Sequence, residues 1–341
     1  LSDYVVMVRN QSTVYLAGPP LLKAATGEIA TDEEIGGAEM HSEISGVADS
    51  LAENDADGIR IAREITRKLG WNDGHSEEVQ PDYPEPLYDA EDILGLIPQD
   101  PKTPYDVREI IARIADGSDF LEFKPVFDIG TICGHIEIHG FSLGVIGNNA
   151  PITANGAAKA GQFIQLCEQS NTPIVFLHNT TGFIVGTAAE RAGIIKHGAK
   201  LIQAVTNSRI AKISVVVGGS YGAGNYAMCG RGMGPRFMFA WPRSVVSVMG
   251  PAQAGSVMRT VAEAKMARSG EVDSSTLDTI EKTVVDTMES KSGALVNTAR
   301  VWDDGMIDPR DTREALAFVL GICRDSDRRE TQPNSWGVAR F

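Results

Sequence analysis

The amino-acid sequence predicts an α/β fold, a β-sheet covered by helices. Two observations carry this. Apolar, β-branched runs of strand length, such as "PIVFLHN" at 173–179 and "KISVVVGG" at 212–219, alternate with longer segments of helical period, such as "GAAKAGQFIQLCEQS" at 156–170. The second strand then runs into four glycines within seven residues, Gly218, Gly219, Gly222 and Gly224, before the chain turns helical in character.

In chain order, residues 1–70 read as a strand, a turn, a second strand ("TVYLAGPPLLKAATG") and an acidic helical region ending near "TRKLGW". Residues 71–105 are rich in Pro and Asp and read as a surface linker. "DVREIIARIAD" is a short amphipathic helix, and "CGHIEIHGFSLGVIGNN" a hairpin-like strand pair. "AAERAGIIKHGAKLIQAVTNS" at 188–208 reads as one helix, "FMFAW" and "VVSVMG" as strands, and the chain from Pro251 onward as mainly helical. "VVMVRNQSTVYLAGPPLLKAA" and "FMFAWPRSVVSVMGPAQAGSV" form a weak internal echo: strand, turn, strand, Gly-Pro, small-residue helix. If the unit is duplicated, the glycine loop of the first copy would fall before Leu1, and the chain would be part of a longer polypeptide.

Composition narrows the function classes. With 341 residues the chain is long enough for roughly two domains. It is 43% hydrophobic, with no apolar run long enough to cross a bilayer, so no membrane role is expected. A net charge of −14 argues against nucleic acid as a partner. Cys133, Cys167, Cys229 and Cys323 are far apart and form no CxxC pair, so a zinc ribbon and a redox motif are both excluded. His135 and His139 lack the further ligands a metal would need, so they read as surface or packing residues, and no metal is expected. His178 also reads as packing, at the end of a buried strand. From Arg191 to Ala262 there is no Asp or Glu, while nine Lys or Arg occur: Arg191, Lys196, Lys200, Arg209, Lys212, Arg231, Arg236, Arg243 and Arg259. Either they pair with acids elsewhere, or they build an electropositive site around the glycines.

Glycine permits positive φ and close approach to the backbone, and a helix that starts at such a loop presents free N–H groups to an anion. Gly222-Ala-Gly224-Asn-Tyr-Ala227 fits a dinucleotide pattern, but the acid expected about 20 residues on is missing. No Gly-Lys-Ser/Thr follows, so a Walker loop is absent as well. The remaining reading is an oxyanion hole, in which N–H groups of this loop and of the strand-end loop "HNTTGFIVG" hold an oxygen that gains charge.

With those residues in hand, the chain resembles a known family. "TTGFIVG", "ERAGIIKHGAKLIQAV", "KISVVVGGSYGAGNYAMCGR" and "SVMGPAQAGSV" are similar to the carboxyltransferase (β) subunit of biotin-dependent acyl-CoA carboxylases. "YLAGPPLLKAATGE" and "IGGAEMHSEISGVAD" resemble the end of that subunit's N-terminal domain, and the likeness covers essentially the whole chain. "GGSYGAGNYAMCGR" looks like the branch acting on 3-methylcrotonyl-CoA and geranyl-CoA. "FLHNTTGF" and "NSWGVARF" look closer to the geranyl-CoA enzymes. "MGPAQ" at 249–253 departs from the Met-Gly-Gly-Glu-Gln of many methylcrotonyl enzymes, which puts substrate choice and biotin-pocket shape in question.

The resemblance implies a crotonase-like fold of sheet layers flanked by helices, in tandem halves with the N-terminal half truncated. Residues 1–95 would be the remainder of the acyl-CoA domain plus a linker, and 96–341 the carboxyltransferase domain. The implied catalytic positions are Ala223 and Gly224, with Gly182 and Phe183 on the facing loop. Gly219, Tyr221, Gly222 and Ile184 would border the biotin cofactor. The N–H groups of Ala223 and Gly224 would stabilise charge on the biotin urea oxygen after CO2 leaves. A γ proton would then leave the acyl-CoA, and the resulting dienolate would attack CO2. No Ala-Met-Lys-Met sequence is present, so biotin is expected on a partner α subunit, in an assembly of six α and six β subunits. The implied location is a bacterial cytoplasm or, in a eukaryote, the mitochondrial matrix. Two other classes compete. A hydratase on the same fold would need paired carboxylates that the basic segment does not offer, and a non-catalytic biotin-binding scaffold would not need an intact Gly224 loop.

Overall fold

The computed structural model describes residues 4–68, 82–98, 105–269 and 272–328. Two sheets are formed. The small one pairs β1 (Val6–Val8) with β2 (Ser50–Ala52) in parallel. The large one has eight strands: β3 (Leu121–Glu122), β4 (Thr131–Ile138), β5 (Phe141–Asn148), β6 (Ile174–Thr180), β7 (Lys212–Tyr221), β8 (Phe237–Ala240), β9 (Val245–Ser247) and β10 (Gly305–Met306). Its order is β10-β8-β7-β6-β5-β4-β3, with β9 pairing the far end of β7. β3, β4 and β5 are antiparallel, and β5 through β10 pair in parallel through helical crossovers.

Each strand of the sheet centre sends alternate side chains to opposite faces. Val175, Leu177, Ile213 and Val215 face the helices Arg108–Ile114 and Thr312–Arg328, in a core closed by buried Trp241. Ile174 and Phe176 face Ala154–Gln169 and Ile194–Asn207, where Phe163, Cys167 and Leu201 are buried. Near-continuous apolar strands are what burial on both faces requires. All four cysteines are buried free thiols.

Several expectations need correction. The second strand read within "TVYLAGPPLLKAATG" does not form. Thr13 makes an isolated bridge to Gly37, and Pro19 opens the helix Pro19–Thr26, a position where proline is pre-organised. The echo therefore keeps a strand and a Gly-Pro helix start in both copies, but a second strand only in the later one. The helix read at 188–208 is two, Thr187–Arg191 and Ile194–Asn207, broken at Gly193 with φ of 79°. "REIIARI" is buried on more than one side: Ile110, Ile111 and Ile114 all lie in the core. The linker read at 71–105 lies partly outside the described residues, but Ile93 within it is fully buried in that same core. His139, read within the hairpin-like strand pair, lies in the β4–β5 turn at φ of 49°, stacked on Tyr83.

Residues before β3 are tied to the large sheet by polar contacts. Tyr4 Oη bonds His135 Nε2 at 2.9 Å. The ammonium of buried Lys124 lies 3.3 Å from Asp49 Oδ1 and donates to Gln162 Oε1 at 2.8 Å and to the Gly46 carbonyl.

Candidate active site

β6 and β7 are neighbours in the sheet, so the segments that leave their C-terminal ends lie side by side, where open α/β sheets place ligands. The glycine-rich stretch is not a loop. β7 continues through Gly218 and Gly219 to Tyr221, and the helix Gly222–Ala227 starts at once. A bulge accompanies this. His178 pairs with Val216 and Thr180 with Ser220, so β7 takes four steps where β6 takes two.

The glycines are needed by what lies against them. A Cβ on Gly224 would sit 2.7 Å from Gly182 Cα, so the β6 and β7 exits touch backbone to backbone. Gly222 has φ of 54°, and a Cβ there would meet the Val248 carbonyl at 2.8 Å. Gly219 leaves room for the Tyr221 ring, 2.7 Å from where its Cβ would be, and half-burial raises the Tyr221 pKa.

The first N–H groups of a helix have no partner within it. Here the capping position is Tyr221, whose side chain makes no capping bond. Ala223 is exposed and Gly224 buried. On the facing loop, the predicted residues divide. The Gly182 N–H donates to Thr180 Oγ1 at 3.1 Å, and the Ile184 N–H to the Ile152 carbonyl at 2.9 Å. The Phe183 N–H lies between these two in an extended bridge to Ile152 and therefore points the other way. The Phe183 ring packs on Gly198. Ile184 and Val185 on the facing loop are exposed at 40% and 89%, and Val248, whose carbonyl lies against Gly222, at 76%.

Part of the basic segment pairs with acids elsewhere in the chain. Arg231 pairs with Asp304, Arg236 with Asp327, and Arg259 with Asp278 and Glu281, all acids that follow the segment. Lys212 is buried and donates to the Ser208 carbonyl. Arg191, Lys196 and Lys200 are exposed on the two helices that follow the facing loop. His197 lies between the two lysines in sequence, and slight desolvation with their charge lowers its pKa. Sequence reasoning found this cluster but could not separate it from the paired arginines, because pairing depends on acids distant in sequence.

This fold, with glycine-lined exits of two neighbouring strands in contact, defines an α/β protein with a helix-covered parallel sheet, and comparison with known proteins makes the class specific. The carboxyl transferase domain model matches residues 1–334, and the chain belongs to that family. It is 47% identical over 343 aligned residues to a probable biotin-dependent acyl-coenzyme A carboxylase beta2 subunit of Mycobacterium tuberculosis, covering 100% of this chain and 64% of that protein. It is 44% identical to the same organism's biotin-dependent 3-methylcrotonyl-coenzyme A carboxylase beta1 subunit, covering 95% and 61%. Among solved structures, the P. aeruginosa geranyl-CoA carboxylase beta subunit is 58% identical with a TM-score of 0.71, covering 100% of this chain and 63% of that one. A transcarboxylase 12S structure, described as a hexamer assembly, is 30% identical with a TM-score of 0.83, covering 99% and 64%. The α/β class with crotonase-like layers expected from the sequence is that of these structures. The chain spans less than two-thirds of the length of each of these relatives.

Proposed function

We propose that this chain is the carboxybiotin-side part of a β subunit that transfers a carboxyl group to the γ-carbon of a 3-methyl-2-enoyl-CoA. Residues 96–341 form the carboxyltransferase domain in this reading, and 1–95 complete an acyl-CoA domain. The observation that carries it is the backbone contact of Gly224 with Gly182, which sets an uncapped helix start beside the facing loop. A urea oxygen needs convergent donors and little side-chain bulk around it, and this is what the contact supplies.

Carboxybiotin, brought by a biotin-bearing α subunit, supplies the carboxyl group and the base for the γ proton. The chain's residues orient and stabilise. The Ala223 and Gly224 N–H groups point at the oxygen that gains charge, and Phe183 N–H is the donor best placed on the facing loop. Gly182 acts through close approach, since its own N–H is engaged. Gly219, Tyr221, Gly222 and Ile184 shape the walls. Arg191, Lys196 and Lys200 give anionic ligands an attractive approach. After γ-deprotonation the dienolate carbon forms the new C–C bond to CO2, so no side-chain base is required. The favoured substrate is geranyl-CoA, supported by the 58% identity to a geranyl-CoA carboxylase subunit. 3-Methylcrotonyl-CoA is the second reading, supported by relatives at 43% and 44%. A hexameric β core within an assembly of six α and six β subunits completes the proposal.

The test uses full-length protein assembled with its biotinylated partner. ATP- and bicarbonate-dependent carboxylation should prefer geranyl-CoA over 3-methylcrotonyl-CoA. Gly224→Val keeps its N–H but displaces it, because its side chain collides with Gly182; kcat should fall by about 100-fold with the assembly intact, the size of the loss when one oxyanion donor is removed. Unchanged turnover in Gly224→Val would sink the site, and preference for the five-carbon substrate would move the assignment to the second reading.

A further inference from the structure

Beneath the candidate site lies a buried polar chain that the proposed chemistry does not use. His178, near the end of β6, is fully buried, and its Nδ1 is 2.9 Å from Ser220 Oγ. Asn225 Nδ2, within the helix Gly222–Ala227, donates to that same Oγ at 2.9 Å. Asn225 is fixed from its other side as well. The Gly230 N–H donates to its carbonyl at 2.7 Å, and a Cβ on Gly230 would lie 1.9 Å from Asn225 Oδ1. The bulge between β6 and β7 accompanies this arrangement, pairing Ser220 with Thr180 two residues beyond His178.

We infer that His178 is a positioning residue that, through Ser220, holds Asn225 and so fixes the Ala223 and Gly224 N–H groups against the facing loop. The inference rests on the proposed function for its activity readout only. A histidine placed for packing would present carbon edges to apolar neighbours; this one bonds a serine that is itself bonded to the site helix. An amide nitrogen can only donate, so Ser220 Oγ accepts from Asn225 and keeps a second lone pair and its own proton for Nδ1, whichever tautomer the ring adopts. Desolvation keeps the ring neutral by lowering the His178 pKa to about 3, against a smaller opposing effect of the Met228 backbone. The ring is thus a hydrogen-bond partner of Ser220 and not a proton carrier. The ring's other polar neighbour is the Met228 backbone, so the contact of Nδ1 with Ser220 is the one that ties it to the site helix.

The experiment compares His178→Leu, His178→Asn, Ser220→Ala and the double variant His178→Leu/Ser220→Ala in the full-length assembled enzyme. Asparagine keeps a polar amide atom, able to accept or to donate, where Nδ1 stands. Leucine and alanine should each lower kcat about tenfold with the KM for acyl-CoA roughly unchanged, and His178→Asn should recover most of the loss. The double variant should be no worse than the poorer single, because it removes both partners instead of stranding one. Amide hydrogen exchange over residues 221–229 should quicken about fivefold in Leu and Ala variants and return to wild type in Asn. Multiplying losses in the double variant, or unchanged exchange in His178→Leu, would overturn the inference. If wild type carboxylates neither acyl-CoA, the functional reading fails, and the exchange data still decide the positioning. If His178→Leu does not assemble, Ser220→Ala and His178→Asn give the same comparison.

Discussion

Gly222 and Gly224 are both glycine for reasons of space, but the reasons differ. Gly222 combines φ of 54° with a carbonyl, Val248, that a Cβ would reach at 2.8 Å. Alanine there carries left-handed backbone strain of about 1–2 kcal/mol and must also displace β9's exit. Gly224 has no positive φ, and only the neighbouring chain excludes a side chain. Gly222→Ala should therefore lower the denaturation midpoint, which equilibrium unfolding of the assembled protein can read. A midpoint equal to wild type would mean that the backbone at 222 relaxes. The glycine spacing was visible in the sequence. Which glycine serves conformation and which serves contact was not, since Gly182 lies far from Gly224 along the chain.

Among the elements, residues 4–68 are tied to the large sheet by Tyr4, Arg67 and Lys68, and by Lys124 reaching back to Asp49. Its ammonium joins Asp49 to Gln162 on the helix Ala154–Gln169, with the lysine and the aspartate both buried. Burial raises the Asp49 pKa, with the Lys124 charge opposing that rise. Removing the lysine alone strands a buried carboxylate, which typically costs about 3–5 kcal/mol. Lys124→Met should thus loosen residues 4–68 first, read as faster limited proteolysis there than in the large sheet. Uniform proteolysis of both parts would show that the two unfold together. Sequence reading did not single out Lys124, because a lysine at positive φ after a short strand carries no periodic signal. The same reading did find β4 to β7 and their helices, where burial on both faces leaves long apolar runs.

For the whole molecule, two deeply buried histidines set an acid response. Desolvation lowers His135 to about 4, with the Lys68 charge adding to the effect, and lowers His178 to about 3. Both are near 6.5 when unfolded. The unfolded chain therefore takes up protons first as pH falls. Stability from these rings is complete above about 6.5 and is lost as pH drops toward their folded values, by up to about 1.4 kcal/mol per pH unit for each ring. Denaturant midpoints measured between pH 7 and pH 5 should fall accordingly, and His135→Asn should flatten the slope. A slope unaffected by the substitution would place the acid sensitivity elsewhere.

The sequence alone determined the α/β class, the central strands and the glycine cluster at the end of β7, because periodicity, glycine spacing and charge are local quantities carried along the chain. The tertiary structure decided the rest. It ran β7 straight into its helix, split the helix at Gly193, separated the paired arginines from the exposed cations, and placed His178 under Ser220 and Asn225. Each of those outcomes depends on which distant backbone or side chain arrives at a given point. Strand pairing between β6 and β7 sets that arrival, and no window of sequence contains it.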